Sequence, residues 1–302
     1  MFTNRDSIQE SMSPNTDSAR DISQRAADAT EAWSLLLAAL GSADGLAEAE
    51  GIPTDSSKRS FIDLYLPIVR ARTDRPITVG HLGQSLDGFI ATHAGESRFV
   101  TGEENILHLH RMRALSDAVV VGAGTVAADD PLLTTRLVPG ASPVRVVLDP
   151  TRRLEPRHLV FTDDSAETLY VCARTLVAPG ERCFGRATIL GVEGNAESVN
   201  LVELRRLLRE RGCARIFVEG GGVTVSAFLA AGLLDRLHIA IAPLLIGDGR
   251  PAIRIPPPAA LNECHRPRYR VFRMGGDVLF DCELTPRDEA AGDAQPGLTR
   301  VI

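Results

Sequence analysis

Apolar positions along this chain fall into two textures, with a break near residue 76. Beyond the break, short β-branched runs alternate with segments whose apolar residues recur at helical spacing, the signature of an α/β fold around an extensively buried sheet. The pattern predicts strands over 77–84, 118–123, 144–149, 168–173, 187–191, 215–220 and 237–243, and helices over about 102–115, 201–211 and 223–232. The second helix is marked at both ends: Asn200 caps it, Glu203 follows as in a capping box, and Gly212 stops it. The runs YRVFRM and DVLFDCEL flank Gly275-Gly276 and predict a closing antiparallel hairpin.

Before the break the pattern is thinner. Residues 1–28 are almost free of large apolar side chains and are expected to be a disordered arm, because they cannot offset the entropy of ordering. Residues 29–75 read as a helical and linker extension. Its helix is ATEAWSLLLAAL, with Trp33, Leu36, Leu37 and Leu40 on one face and Gly41 as the stop. The apolar run at 61–69 reads equally as linker or as covering segment. The main domain is expected over 76–284, with 285–302 a flexible tail.

Composition narrows the function class more than the fold. The chain of 302 residues has net charge -6 and no clustered Lys or Arg, so it carries no footprint for nucleic acid or a membrane surface. No run approaches the length of a spanning helix, and the N-terminus lacks a signal-peptide core. The expected setting is the cytoplasm, with a small molecule and further copies of the chain as partners. Five cysteines without a C-x-x-C pair suggest neither disulfides nor a zinc site, and they read as buried small hydrophobes. No metal is expected, since His108 and His110 diverge on a helix and read as surface or packing residues.

Three segments carry candidate chemistry. In RIFVEGGGVTVSAFLAAG a buried strand meets three glycines and a helical pattern, so a ligand can approach the backbone. Free N–H groups from about Val223 to Ser226 would cradle a pyrophosphate. It is neither G-x-G-x-x-G nor a P-loop, and a plain connecting turn is the alternative. In VVVGAGTVAADDPLLTTR, Thr125 opens a short helix and Asp129 suits a ribose hydroxyl, while the Asp pair before Pro131 reads equally as a helix stop. Arg136 beyond Leu132 and Leu133 suits a phosphate or plain solvent, and Arg113 on the preceding helix would make it one of two anchors for an anion. In LGQSLDGFIATHAGESRFVTG, Asp87-Gly88 is a tight-turn signal.

These segments, S-L-D-G at 85–88, G-x-G-T-V-x-x-D-D-P-x-L-T-x-R at 122–136 and V-E-G-G-G at 218–222, resemble in that order the reductase domain of the riboflavin-biosynthesis deaminase/reductase family. The similarity runs from about Pro76 to Glu283 and extends to the stand-alone archaeal reductases, including an S-R matched by Ser97-Arg98. It implies a dihydrofolate-reductase-like three-layer α/β/α fold with a mainly parallel sheet, NADPH as cofactor, a homodimer, and reduction of the ribosyl side chain of 5-amino-6-(5-phosphoribosylamino)uracil, or a close analogue, to the ribityl form. It places Gly83, Phe99, Thr125 and Asp129 on the nicotinamide cofactor, with Gly220, Gly221, Gly222, Val223, Thr224, Val225 and Ser226 around its phosphates. It places Ser97, Arg113, Leu133, Arg136 and Glu219 on the substrate.

The departures are as informative. Residues 1–75 match neither zinc motif of the deaminase half, so deamination is expected to be absent. His81 stands where many bacterial members have Lys, and Pro150 where a small hydroxyl residue is frequent. His81 and Glu219 are the candidate catalytic residues, relaying a proton as the nicotinamide hydride reaches the sugar C1. Arg152, Arg153 and Arg174 are candidates for the 2′-phosphate that separates NADPH from NADH. Two other readings stay open: a reductase of a different pterin or pyrimidine, and a nicotinamide-binding module without turnover.

Overall fold

The computed structural model describes residues 16–98, 100–195 and 198–284. The chain divides into two compact units, Met1–Val69 and Arg70–Ile302.

The first unit is helical: α1 Thr16–Gly41, α2 Ala43–Glu50 and α3 Arg59–Val69. Helix α1 begins well before residue 29, so the described part of the expected disordered arm is helical. Its alanines at 19, 26 and 27 supply the propensity that a count of large apolar residues overlooks. Trp33 and Leu36 are buried as expected, but the face is completed by Ala32 and Ala39, with Leu37 and Leu40 half-buried. Trp33 meets Tyr65 edge-on, with ring centroids 6.0 Å apart. The 61–69 run, open between linker and covering segment, forms α3 with Pro67 inside it and packs on α1 through Tyr65.

The second unit contains, in chain order, β1 Ile77–Ser85, β2 Phe89–Ala91, α4 Glu103–Leu115, β3 Ala118–Gly122, α5 Ala123–Asp129, β4 Val144–Leu148, α6 Leu159–Thr162, β5 Thr168–Ala173, β6 Cys183–Phe184, β7 Ala187–Val192, α7 Leu201–Glu210, β8 Arg215–Glu219, α8 Gly222–Ala230, β9 Arg236–Ala242, β10 Arg250–Pro251, β11 Arg268–Met274 and β12 Asp277–Glu283. One ten-stranded sheet runs β11-β12-β9-β1-β8-β3-β4-β5-β7-β6, and β2 pairs with β10 apart from it. Its centre, from β9 to β7, is parallel, while the β11–β12 hairpin joins β9 antiparallel.

Both faces of the sheet are covered, which is why its strands read as nearly continuous apolar runs. Val120, Val146, Val171 and Val218 pack with Leu204 and Leu208 of α7 and Val225 and Phe228 of α8. On the opposite face α4 lies over β1, β8 and β9, where Asn105, His108 and Arg113 reach down to the strands. The result is the expected three-layer α/β/α arrangement. Asn200 accepts the Glu203 N–H at 3.0 Å, so the α7 cap is as the sequence predicts. Strands β2, β6 and β10 went unpredicted because two or three residues carry no measurable period. The cysteines divide: Cys172, Cys213 and Cys282 are buried, but Cys183 is exposed and Cys264 half-buried, so the uniform core reading fails for those two.

Candidate functional site

Strand β8 sits between β1 and β3, while α4 and α8 depart to opposite faces, so the chain opens a crevice at the carboxyl ends of these strands, where open α/β sheets place ligands. The crevice is a cavity of about 810 Å³, large enough for a cofactor-sized ligand.

One end of the cavity is built from backbone. Gly221, at φ 66°, is the residue before α8, and a Cβ there would lie 2.9 Å from Thr125 Oγ1. A Cβ on Gly222 would lie 2.3 Å from the Ala252 carbonyl oxygen. The glycines are thus demanded by the protein's own packing as well as by ligand approach. Thr224 and Val225 donate their N–H groups to Gly221 O, which moves the anion cradle to Gly222 and Val223, the first turn that a helix cannot satisfy internally. The expected span of free N–H groups from Val223 to Ser226 is corrected accordingly. Val225 belongs to the core, and Ser226 Oγ accepts the Arg254 N–H at 2.8 Å. Thr125, at the start of α5, lies against this glycine loop, and Asp129, at the end of α5, lines the cavity, where burial raises its pKa against the pull of Arg98. Asp130 is the helix stop, left-handed at φ 40°, and its carboxylate accepts the Leu159 N–H at 2.8 Å.

The other end is built from side chains. Glu219 closes β8 and accepts Arg113 Nε at 2.7 Å and Arg113 Nη2 in a bidentate pair. Arg113 also donates to Thr134 O at 3.1 Å. Burial alone would lower the Arg113 pKa, but Glu219 outweighs it and the net shift is upward. Beside Glu219, His81 is 3% exposed and its Nε2 meets Asn105 Oδ1 at 2.9 Å. Burial, then the neighbouring His238, lowers its pKa to about 3, with Asn105 acting the other way. A neutral imidazole cannot serve as a proton donor in its imidazolium form. Gly83, two residues on, has no room for a side chain, because a Cβ would lie 2.8 Å from Thr101 Cγ2. Leu133 is buried at φ 57°, a strained geometry for a leucine that fixes the wall at this point.

Of the residues singled out in the sequence, His81, Gly83, Ser97, Thr125, Asp129, Leu133, Glu219 and Gly220 to Thr224 line this single cavity. Phe99 lies outside the described residues. Arg113 and Arg136 do not line the cavity: Arg113 is committed to Glu219, and Arg136 is exposed, its N–H donated to His110 Nδ1 and its Nη1 to Thr134 Oγ1. The cations that do line it are Arg153, Arg250 and Arg254. Arg250 and Arg254 were missed because single arginines outside a motif carry no pattern. His108 and His110 are both buried rather than on the surface.

Residues 77–267 match the RibD C-terminal domain. A 2,5-diamino-6-ribosylamino-4(3H)-pyrimidinone 5′-phosphate reductase of Methanothermobacter thermautotrophicus is 37% identical over 217 residues, covering 68% of this chain and 97% of that one. The riboflavin biosynthesis protein RibD of Bacillus amyloliquefaciens is 36% identical over 58% of this chain, and the match spans 48% of that longer protein. A solved deaminase/5-amino-6-(5-phosphoribosylamino)uracil reductase from Thermotoga maritima superposes at a TM-score of 0.56 with 25% identity, over 76% of this chain and 61% of that one.

Proposed function

The chain belongs to the RibD C-terminal domain family, and from that premise we propose that it is a nicotinamide-dependent reductase that converts the ribosyl side chain of a phosphoribosylaminopyrimidine to the ribityl form in riboflavin biosynthesis. The observation that carries the reading is one cavity with an anion cradle at Gly222 and Val223 and a buried Glu219–Arg113 pair at its other end. A dinucleotide needs the first, and a polar heterocycle needs the second.

The residues present fit such a cofactor, since the Gly222 and Val223 N–H groups, outside the turns that close on Gly221 O, stand on residues that line the cavity, and Arg153 lines it too. When bound, the cofactor supplies a hydride from its nicotinamide ring. Gly222 and Val223 would hold its diphosphate, with Thr125 beside them against the glycine loop, and Asp129 would accept a sugar hydroxyl. Glu219, fixed by Arg113, orients the pyrimidine, and Ser97 and Leu133 shape its slot. Arg250 and Arg254 are the cavity-lining cations that meet the substrate phosphate. Closing these groups around both reactants supplies orientation, which is most of what this chemistry asks of the protein.

NADPH is the cofactor in this reading. Of the three candidate arginines, Arg152 is bound bidentately by Glu181, at 2.6 Å for each nitrogen, and Arg174 is paired with Glu203. Arg153 is left to line the cavity, with Nη2 3.8 Å from where a Cβ on Gly124 would sit. Arg153→Ala is expected to raise the NADPH KM by about tenfold and leave the NADH KM unchanged, the loss of about one charge-assisted contact.

The deciding experiment follows the NADPH absorbance band with enzymatically made ribosylaminopyrimidine 5′-phosphate, deaminated and undeaminated, and with NADH in parallel. Oxidation with either pyrimidine is expected, and none with both would sink the reading. A cytoplasmic homodimer is part of the same proposal, and light scattering on the purified chain tests the dimer. Among the described residues, no helix is long and apolar enough to cross a membrane.

A further inference from the structure

The S-L-D-G motif has no part in the proposed reaction: none of Ser85, Leu86, Asp87 and Gly88 lines the cavity. A tight turn explains Gly88, at φ 88° with its N–H on Ser85 O at 3.1 Å, but it does not explain where the Asp87 carboxylate goes. The Ser85 hydroxyl, buried at the end of β1, donates to Asp87 Oδ1 and accepts the Phe89 N–H at 3.0 Å. Asp87 then reaches the loop after β9. Its Oδ2 accepts the Gly247 N–H at 2.6 Å, and its two oxygens share the Ile246 N–H at 3.2 and 3.1 Å. Ser85 first and the Gly247 N–H next lower its pKa, so the clamp is an ionised carboxylate.

That loop leads straight into Arg250, Pro251 and Arg254, which line the cavity. The downstream part has anchors of its own. Ala252 donates its N–H to Gly88 O at 2.9 Å, its carbonyl lies against Gly222, and the Arg254 N–H goes to Ser226 Oγ at 2.8 Å. The upstream part is held less. Strand β10 is two residues long, with a shift of register between Arg250 and Pro251. The His93–Asp248 pair is 71% and 79% exposed, and a pair so exposed holds little. Asp87, gripping two successive N–H groups through charge-assisted bonds, is the firmer hold. Between the two sets of anchors stands Arg250. Its Nη2 lies 2.9 Å from where a Cβ on Gly95 would sit, so the guanidinium rests on a residue without a side chain at the cavity wall.

We propose that Asp87 is a positioning residue for the substrate phosphate: by clamping the Ile246 and Gly247 N–H groups it sets the 246–250 loop and so aims Arg250 at the cavity, while the cofactor cradle keeps its separate anchors. The inference rests on the proposed reductase function, in which Arg250 meets that phosphate, and deepens it. Asp87 touches neither reactant. The phosphate is remote from the reacting sugar carbon and binds alike in ground and transition state, so a displaced Arg250 shows in KM and not in kcat.

Kinetics of the full chain with ribosylaminopyrimidine 5′-phosphate and NADPH test this. Asp87→Asn replaces one acceptor oxygen by an NH2 group and removes the charge. It is expected to raise the pyrimidine KM by about tenfold, with kcat and the NADPH KM each within about twofold. Calorimetry with the ribitylaminopyrimidine lacking its phosphate should give wild type and Asp87→Asn the same affinity within about twofold. In an Arg250→Ala background, Asp87→Asn should add less than about twofold, because one residue acts through the other. An unmoved KM, an equal loss for the ligand without phosphate, or full additivity with Arg250→Ala would overturn the proposal. Independently of any variant's folding, hydrogen exchange of the wild type should find the Ile246 and Gly247 amides protected, and exchange at the rate of an unstructured chain overturns it as well. Failure of the wild type to oxidise NADPH with any ribosylaminopyrimidine phosphate sinks the reductase function, whereas turnover that Asp87→Asn leaves unchanged sinks only the role of Asp87.

Discussion

In the proposed function the two ends of the cavity bind by different physics. At the α8 end, main-chain N–H groups do the work and the side chains are there mainly to stay out of the way. At the β1–β8 end, buried side chains do the work, and each is fixed by a partner behind it: Glu219 by Arg113, His81 by Asn105. The first should therefore be sensitive to volume and indifferent to chemistry. The second should be sensitive to charge at nearly constant volume. The contrast can be broken from either side.

The largest effect is expected at the side-chain end. Glu219→Gln keeps the shape but leaves the Arg113 guanidinium buried without its anion, and loss of one member of a buried pair costs about 3–5 kcal/mol. Denaturant unfolding should show it as a lowered midpoint at an unchanged slope. A loss under about 1 kcal/mol would mean the pair is effectively solvated, and the distinction between the ends would fail. Next comes Gly222→Ala, which retains the cradle N–H but forces a methyl against the Ala252 carbonyl oxygen, 2.3 Å from where it would sit. Such overpacking costs about 2 kcal/mol of folding stability, readable as a lowered denaturant midpoint.

How much of this was legible follows from the same contrast. The glycine run and the strand before it are local in sequence, so the cradle could be found there, displaced only by the two N–H groups that fold back onto Gly221 O. The alternating runs fixed the parallel strands for the same reason. The row that His81, His238 and Asp281 make across β1, β9 and β12 was invisible, because three residues scattered across the chain become neighbours only through strand register. Arg113 was expected to anchor an anion from the substrate. It has an anion of its own, Glu219, 106 positions further on, and no spacing rule relates the two. His108 and His110 diverge on α4 as helical geometry demands, yet both are buried, since the helix is covered by the sheet on one side and the 134–136 loop on another.

The side-chain end should also make the fold acid-sensitive. His81, held at about 3, and His110, lowered to about 4 first by burial and then by Arg113 and Arg136, are neutral when folded but take protons at about 6.5 when unfolded. Their folded pKa values are depressed, so between pH 6.5 and about 4 the unfolded chain binds more protons and stability falls as pH falls. Each group can withdraw up to about 1.4 kcal/mol per pH unit in that window. Thermal unfolding at pH 7.5, 6.5 and 5.5 should show little change across the first interval and a clear drop across the second. His110→Asn should reduce the second step by the His110 share, and a flat profile for the wild type would mean these imidazoles are solvated in the folded state.

The smallest effect is the most pointed test of the backbone end. Val223 is 78% exposed at the first turn of α8, in the middle of the cradle, where a side-chain mechanism would make it a contact residue. Its N–H, not its isopropyl group, is what faces the anion in this account. Val223→Ser should therefore leave stability within about 0.5 kcal/mol, as surface substitutions do, and the NADPH KM within about twofold. Val223→Pro removes the N–H in the first turn of α8, one position past the N1 site that best accepts proline, so it should cost affinity where serine does not. Equal effects from the two variants would show that the cradle holds its ligand through side-chain contact, and that the two ends of the cavity are not different in kind.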